Sequence, residues 1–301
     1  MKRLFTYGCS FTGYVWPTWA DILGRDYEVF ENYGRTGAGN QYIFNALVET
    51  HLRRQLTDKD TVAIMWTNVS REDRYVDREW ITPGNIYSQD RYPAEFVKDF
   101  ADTRGFYIRD LAIMYATESI LKSIGCKYYF FSMVDISNSL QYDHQDDSDD
   151  IDDILPYYGD LLTTIKPSVH RTVFGYDWWS RPRVRYPWAD QHDLSTVEKN
   201  YKSVAGPDWP SFKQYLNKDF TKIDPIIVAE VTDTKWQWEQ KIARVTGEDP
   251  HPTPLEHLEY LDAVAPDLKI SDETRLWTFD IEQQVRAGDT LSWSPMQIKR
   301  W

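Results

Sequence analysis

The sequence predicts an α/β protein: a three-layer α/β/α sandwich around a central parallel sheet. Short runs of β-branched and aromatic residues alternate with helix-length amphipathic segments over residues 3–134. One run, Thr61-Val62-Ala63-Ile64-Met65-Trp66, is almost continuously apolar, as a strand covered on both faces must be. The 301 residues suffice to bury a large core. No internal repeat or flexible linker divides the chain, so it reads as one domain over 1–301, with insertions at about 68–95 and 141–247.

In chain order, Arg3 to Tyr7 reads as the first strand. Trp16 to Gly24 reads as a helix with Pro17 in its first turn, where a missing N–H does no harm. Tyr27 to Asn32 is a short second strand. Asn40 through Leu56 carries Ile43, Ala46, Leu47 and Leu52 at helical spacing. Thr61–Trp66 is the third strand. Phe96 to Ile124 continues as a long helical pattern, interrupted near Gly105 and capped by Gly125. Lys127 to Val134 is the fourth strand, and no segment stands out as the fifth that such a sheet normally has. Helical pieces follow over 208–247, with Asp224-Pro225 as one start and Trp236 to Val245 as a continuation. Pro254 to Leu261 and Asp272 to Arg286 read as the last helices. The tail from Asp289 to Trp301 carries Trp293 and Trp301 and suits docking on the body or on another subunit.

A net charge of −13 argues against a broad nucleic-acid-binding face. No stretch approaches the ~20 apolar residues of a membrane span. The apolar run at the start ends at Gly8, too short for a signal peptide. The reading is a cytoplasmic protein, or one packaged in a virus particle or released without a signal. Cys9 and Cys126 both abut strands and read as reduced core thiols. Aromatics make up 15% of the chain, a hint of a carbohydrate ligand or a packing partner.

The acidic run from Asp143 to Asp153 lacks the glycine and closing glutamate of a calcium loop and reads as a solvated face. The histidines are scattered without a pair at ligand spacing, so no metal and no cofactor is expected. In residues 170–193, His170, Trp178, Trp179, Arg181, Arg183, Arg185, Trp188 and His192 alternate with prolines. They suit an anionic sugar or a partner, or an ordered loop packed over the core.

The strand ends carry the chemistry. Ser10 follows the first strand within Gly8-Cys9-Ser10-Phe11-Thr12, where it is a nucleophile or a helix cap. A glycine-rich turn, Asn32 to Asn40, follows the second strand, and Trp66-Thr67-Asn68 closes the third. Near the C-terminus comes Glu248-Asp249-Pro250-His251-Pro252. In a parallel sheet the first three converge on one edge. A serine nucleophile needs a base, an acid to orient it and oxyanion donors. His251 supplies the base, Asp249 or Glu248 the acid, and a glycine N–H with the Asn68 amide the donors.

These blocks resemble the SGNH hydrolases, or GDSL-type esterases. Gly8-Cys9-Ser10-Phe11 is similar to the first block with Cys9 in place of aspartate. Asn32-Tyr33-Gly34-Arg35-Thr36-Gly37 looks like the glycine block, and Trp66-Thr67-Asn68-Val69 keeps the asparagine of the third without its flanking glycine and aspartate. Asp249-Pro250-His251 resembles the last, with the acid one residue closer to the histidine than the family has it. The resemblance implies ester hydrolysis without a metal. Ser10 would be the nucleophile, His251 the base and Asp249 its orienter, with Gly37 and Asn68 as oxyanion donors. It also implies acyl groups on carbohydrates or lipids, a small-molecule or polysaccharide ester, as substrate, and the aromatic and arginine-rich insertions favour O-acetyl groups on a polysaccharide. The alternative, which the altered flanks and the short acid–histidine spacing suit, is a non-catalytic carbohydrate-binding or structural protein that keeps the hydrolase fold.

Overall fold

A computed structural model describes residues 2–87, 92–136, 151–174, 184–185, 211, 214, 248–249, 251–289 and 291–294. Strand β1 (Arg3–Tyr7) lies inside the sheet, and from Leu4 to Tyr7 its side chains on both faces are buried. Helix α1 (Trp19–Gly24) then leads to β2 (Val29–Asn32), and α2 (Asn40–Arg54) to β3 (Thr61–Trp66). A hairpin, β4 (Arg74–Val76) and β5 (Glu79–Ile81), follows, then α3 (Ala94–Phe100), α4 (Thr103–Ile124) and β6 (Lys127–Ser132). Beyond these lie α5 (Gly159–Thr164), a two-residue ladder of β7 (Val184–Arg185) with β8 (Glu248–Asp249), α6 (Pro254–Val264) and α7 (Asp272–Ala287).

The main sheet is parallel, in the order β2-β1-β3-β6. β6 shows why it is covered on both sides. Tyr129 and Phe131 face one layer, where Phe131 meets Trp19 of α1 and Tyr260 of α6. Tyr128 and Phe130 face the other, where Phe130 meets Trp66 and the Tyr128 hydroxyl bonds Glu118 of α4. Helices α2 and α4 pack together on one face, and α1, α6 and α7 on the other. This is the expected α/β/α arrangement.

Several elements differ from the sequence expectation for local reasons. α1 starts at Trp19, not Trp16, because Thr18 forms a capping box with Asp21. Pro17 therefore precedes the cap. The long helical pattern breaks at Ala101-Asp102, where Asp102 caps α4, and Gly105 lies inside α4's first turn. Gly125 does end α4, in the left-handed region at φ 78°. The position beside β6 is taken by Ile165, which bridges Phe130 in parallel, with Lys166 N–H donating to Phe130 O at 2.8 Å. Pro167 has no N–H to extend the ladder, so the periodicity of a full strand never develops. Cys9 and Cys126 are free, buried thiols. Most of the acidic run, Trp178 to Arg183, Trp188, His192, Asp224-Pro225, Trp236 to Val245 and Trp301 lie outside the described residues.

Candidate active site

β1 has β2 on one side and β3 on the other, so the connections leave the sheet in opposite directions there. α1 and α2 accordingly lie on opposite faces. Such a reversal opens a crevice at the carboxyl ends of the strands, where ligands bind in open α/β sheets. Ser10 follows β1 and Asn68 follows β3 at that edge.

The Ser10 turn is closed by Thr12 and Gly13 N–H groups donating to Cys9 O at 2.9 and 3.1 Å. Gly8 is required for close approach: a Cβ there would stand 2.0 Å from Thr12 Oγ1 and 3.1 Å from Met65 O. Ser10 is buried, 6% exposed, and its hydroxyl forms no hydrogen bond among the described residues. The helix-cap role that its sequence allowed falls to Thr18 instead. Asn32 ties the turn to its surroundings. Its amide donates to Thr12 O at 2.7 Å, and its Oδ1 accepts from Gly34 N–H at 2.9 Å.

The glycine block lies directly against this turn. Arg35 N–H donates to Gly8 O at 3.0 Å, and a Cβ on Gly34 would meet Gly13 N at 2.5 Å. Gly37 is the third residue of a turn closed by Ala38 N–H and Arg35 O, at φ 76°. Its Cβ position is filled by Thr82 O from the insertion. The block continues to Asn68 through Ala38 O, which accepts from Thr67 Oγ1 and from Arg71 Nη1 at 2.8 Å. Asn68 Oδ1 accepts from Ser70 N–H at 2.7 Å, an Asx turn that directs the Nδ2 end away from that bond.

Spacing alone gave no sign of the residues that hold these turns. Buried Asn40 accepts from Thr67 N–H and donates to Asp110, so it fixes the residue before Asn68. Asp73 accepts from Gly39 and Tyr42 N–H at 2.8–3.1 Å. It supplies from the insertion the cap that Gly39 itself lacks. Burial pushes the Asp110 carboxyl up to about 6, against the opposing pull of Arg109.

His251 lies across this crevice. Its Nδ1 and its backbone N–H both reach Asp249 Oδ1, at 2.7 and 2.8 Å, so the short acid–histidine spacing closes into a tight turn. Burial would raise the Asp249 carboxyl, but the His251 bond and charge, with the Tyr14 hydroxyl, hold it down at about 2. An ionised carboxylate can only accept, so Nδ1 carries a proton, and Nε2 is the nitrogen that accepts one whenever the imidazole is neutral. Asp249 is 5% exposed and the His251 side chain 21%. Asp249 itself sits opposite Val184, so the backbone of the aromatic, arginine-rich stretch reaches this loop.

Two residues of the Ser10 loop touch the imidazole. Phe11 meets it edge-on at 5.6 Å and Tyr14 stacks on it at 3.9 Å. Phe11 also contacts His170 and His257, and His257 is buried on α6. The Ser10, Gly37 and Asn68 segments are thus joined by hydrogen bonds, and the Asp249–His251 pair meets them through aromatic rings. Ser10 and His251 do not hydrogen-bond each other. Among the described residues no group of histidine, cysteine or carboxylate side chains could hold a metal. No helix of the described residues is long and apolar enough to cross a membrane.

No family model matches the sequence, and no curated protein matches it. Solved structures are similar at low identity, two of them as follows. One is a member of the lipolytic protein G-D-S-L family from Veillonella parvula DSM 2008, 14% identical, covering 61% of this chain and 86% of that one at a TM-score of 0.33. The other is a mutant of Axe2, an acetyl-xylooligosaccharide esterase from Geobacillus Stearmophilus, 13% identical, covering 78% and 95% at a TM-score of 0.29.

Proposed function

We propose that the chain is a serine ester hydrolase acting on O-acetyl groups of a carbohydrate. The observation that carries this reading is the buried, ionised Asp249 bonded to His251 Nδ1, with the imidazole against the loop that bears Ser10. His251 Nε2 takes the Ser10 proton as Oγ attacks the ester carbonyl. The imidazolium then gives that proton to the leaving alcohol. Water, deprotonated by the same nitrogen, releases the acid and restores Ser10. Gly37 N–H, Ser10 N–H and Asn68 Nδ2 stabilise the oxyanion. Loss of the Asn68 donor is expected to slow turnover on the order of a hundredfold to a thousandfold. Asn68→Ala assayed at saturating ester measures this.

The carbohydrate assignment rests on the hairpin. Tyr75 is more than half exposed and stands edge-on to Trp80, and the strand that holds Trp80 runs on to Thr82 over Gly37. An exposed aromatic face beside an oxyanion turn suits a sugar ring. Tyr75→Ala is expected to raise KM for an acetylated polysaccharide severalfold and to leave p-nitrophenyl acetate hydrolysis unchanged.

A second reading has its own support. The buried Ser10, without a bond to His251, suits a binding protein that keeps the hydrolase framework. A fluorophosphonate probe with peptide mapping separates the two. Labelling at Ser10 that disappears in Ser10→Ala and His251→Ala establishes an activated serine. A folded protein that stays unlabelled moves the assignment to the binding protein.

A further inference from the structure

We propose that Tyr14 is a positioning residue that holds the His251–Asp249 pair from two sides at once. The proposal rests on His251 being the base of the hydrolase read above. The Tyr14 hydroxyl donates to Asp249 Oδ2, while the His251 backbone N–H and Nδ1 go to Oδ1. The Tyr14 ring meanwhile lies flat on the imidazole, centroids 3.9 Å apart and planes 22° from parallel. The bond at Nδ1 fixes one point of the imidazole, and its tilt is set by what lies on the ring's faces and edges. The stacked ring limits that tilt from one face, and Phe11 limits it from the edge at 63°.

Tyr14 is gripped in turn. Trp16 meets its ring edge-on at 4.8 Å and donates its indole N–H to Pro252 O, next to His251, at 2.9 Å. Trp16 is buried with Ile281 and Val285 of α7, while Val15 between them faces solvent. Tyr14 and Trp16 thus lie together on the histidine side, with Val15 turned away from it to solvent. The chemistry matches the geometry. The imidazole becomes a cation as it takes the serine proton, and the face of an aromatic ring attracts a cation.

The test uses the full chain, with NMR of the His251 ring and the rate of fluorophosphonate labelling at Ser10. A parallel ring at this distance shields the imidazole protons. Tyr14→Phe is expected to keep that upfield shift, to move the Nδ1 proton resonance and to label severalfold more slowly. Tyr14→Leu is expected to lose the shift and label on the order of tenfold to a hundredfold more slowly, as for a displaced catalytic group. If Tyr14→Leu is folded by circular dichroism yet keeps the wild-type shift and rate, the proposal is overturned. If the wild-type protein does not label, the hydrolase reading fails and the resonances decide alone. A lost shift in Tyr14→Leu with a moved Nδ1 proton in Tyr14→Phe upholds the positioning role, and unchanged resonances in both overturn it.

Discussion

At Gly34 the backbone of the glycine block touches the backbone of the Ser10 turn, and neither side has a flexible atom to move aside. A Cβ there would stand 2.5 Å from Gly13 N and 2.6 Å from Thr12 C. Gly34→Ala is therefore expected to lower stability by about 1–3 kcal/mol, as overpacking does. It should also displace Ser10, so a urea melt and probe labelling should both report it. Gly159, at the start of α5, has nothing within 4 Å of a Cβ. Gly159→Ala is expected to be neutral or to stabilise by about 0.5 kcal/mol. The sequence marks both positions as glycine and cannot tell them apart, because the difference lies in what the rest of the chain brings to each. Ser10 is similar. Its place after a strand was legible, but the shift of the cap to Thr18 depends on where α1 begins.

At the scale of the element, α2 shows how the insertion after β3 supports the site. Its first N–H groups have no partner from Gly39, and Asp73 accepts from two of them, those of Gly39 and Tyr42. Asp73→Ala leaves these two buried donors without the carboxylate, and a loss of about 2–6 kcal/mol is expected at 1–3 kcal/mol for each unsatisfied group. Asp73→Asn should recover part of it, since an amide oxygen still accepts. Unfolding midpoints of the two variants measure this. The helix itself was readable from its apolar spacing, and so were β1, β3, α6 and α7 within a few residues. Its cap was not, because the carboxylate comes from 34 residues along the chain. The hairpin β4–β5 escaped notice for a related reason. Its exposed Tyr75, Val76 and Ile81 do not alternate with a buried face, so no strand period marks it.

Over the whole molecule, buried carboxyls set the pH dependence of stability. Burial pushes Asp21 up to about 6, against hydrogen bonds from Thr18 and Asn32, and Asp110 likewise to about 6. An aspartate in the unfolded chain titrates near 3.9. The folded state thus binds these protons more tightly. Their contribution is fully present below about pH 4 and is lost as pH rises through about 6, roughly 3 kcal/mol each. Asp249, held at about 2, has the opposite sign. Its contribution of roughly 3 kcal/mol is present above about pH 4 and lost as pH falls towards 2. The urea midpoint is therefore expected to rise from pH 7 to pH 5 in the wild type by more than in Asp21→Asn/Asp110→Asn. Below pH 4 it should fall more steeply in the wild type than in Asp249→Asn.

Patterns among consecutive residues were enough to read the α/β class, the strand-helix alternation and the positions of Ser10, Asn68, Asp249 and His251 at element ends. Each of these follows from local periodicity, a glycine or a short spacing, and local patterns are written in consecutive residues. The tertiary structure alone decided the strand order, the place of Ile165 beside β6 and the choice of Asp73 to cap α2. It also decided that Tyr14 would lie on His251, 237 residues away in the chain. Those outcomes depend on which surfaces meet when the sheet is covered on both faces, and no residue carries that information among its own neighbours.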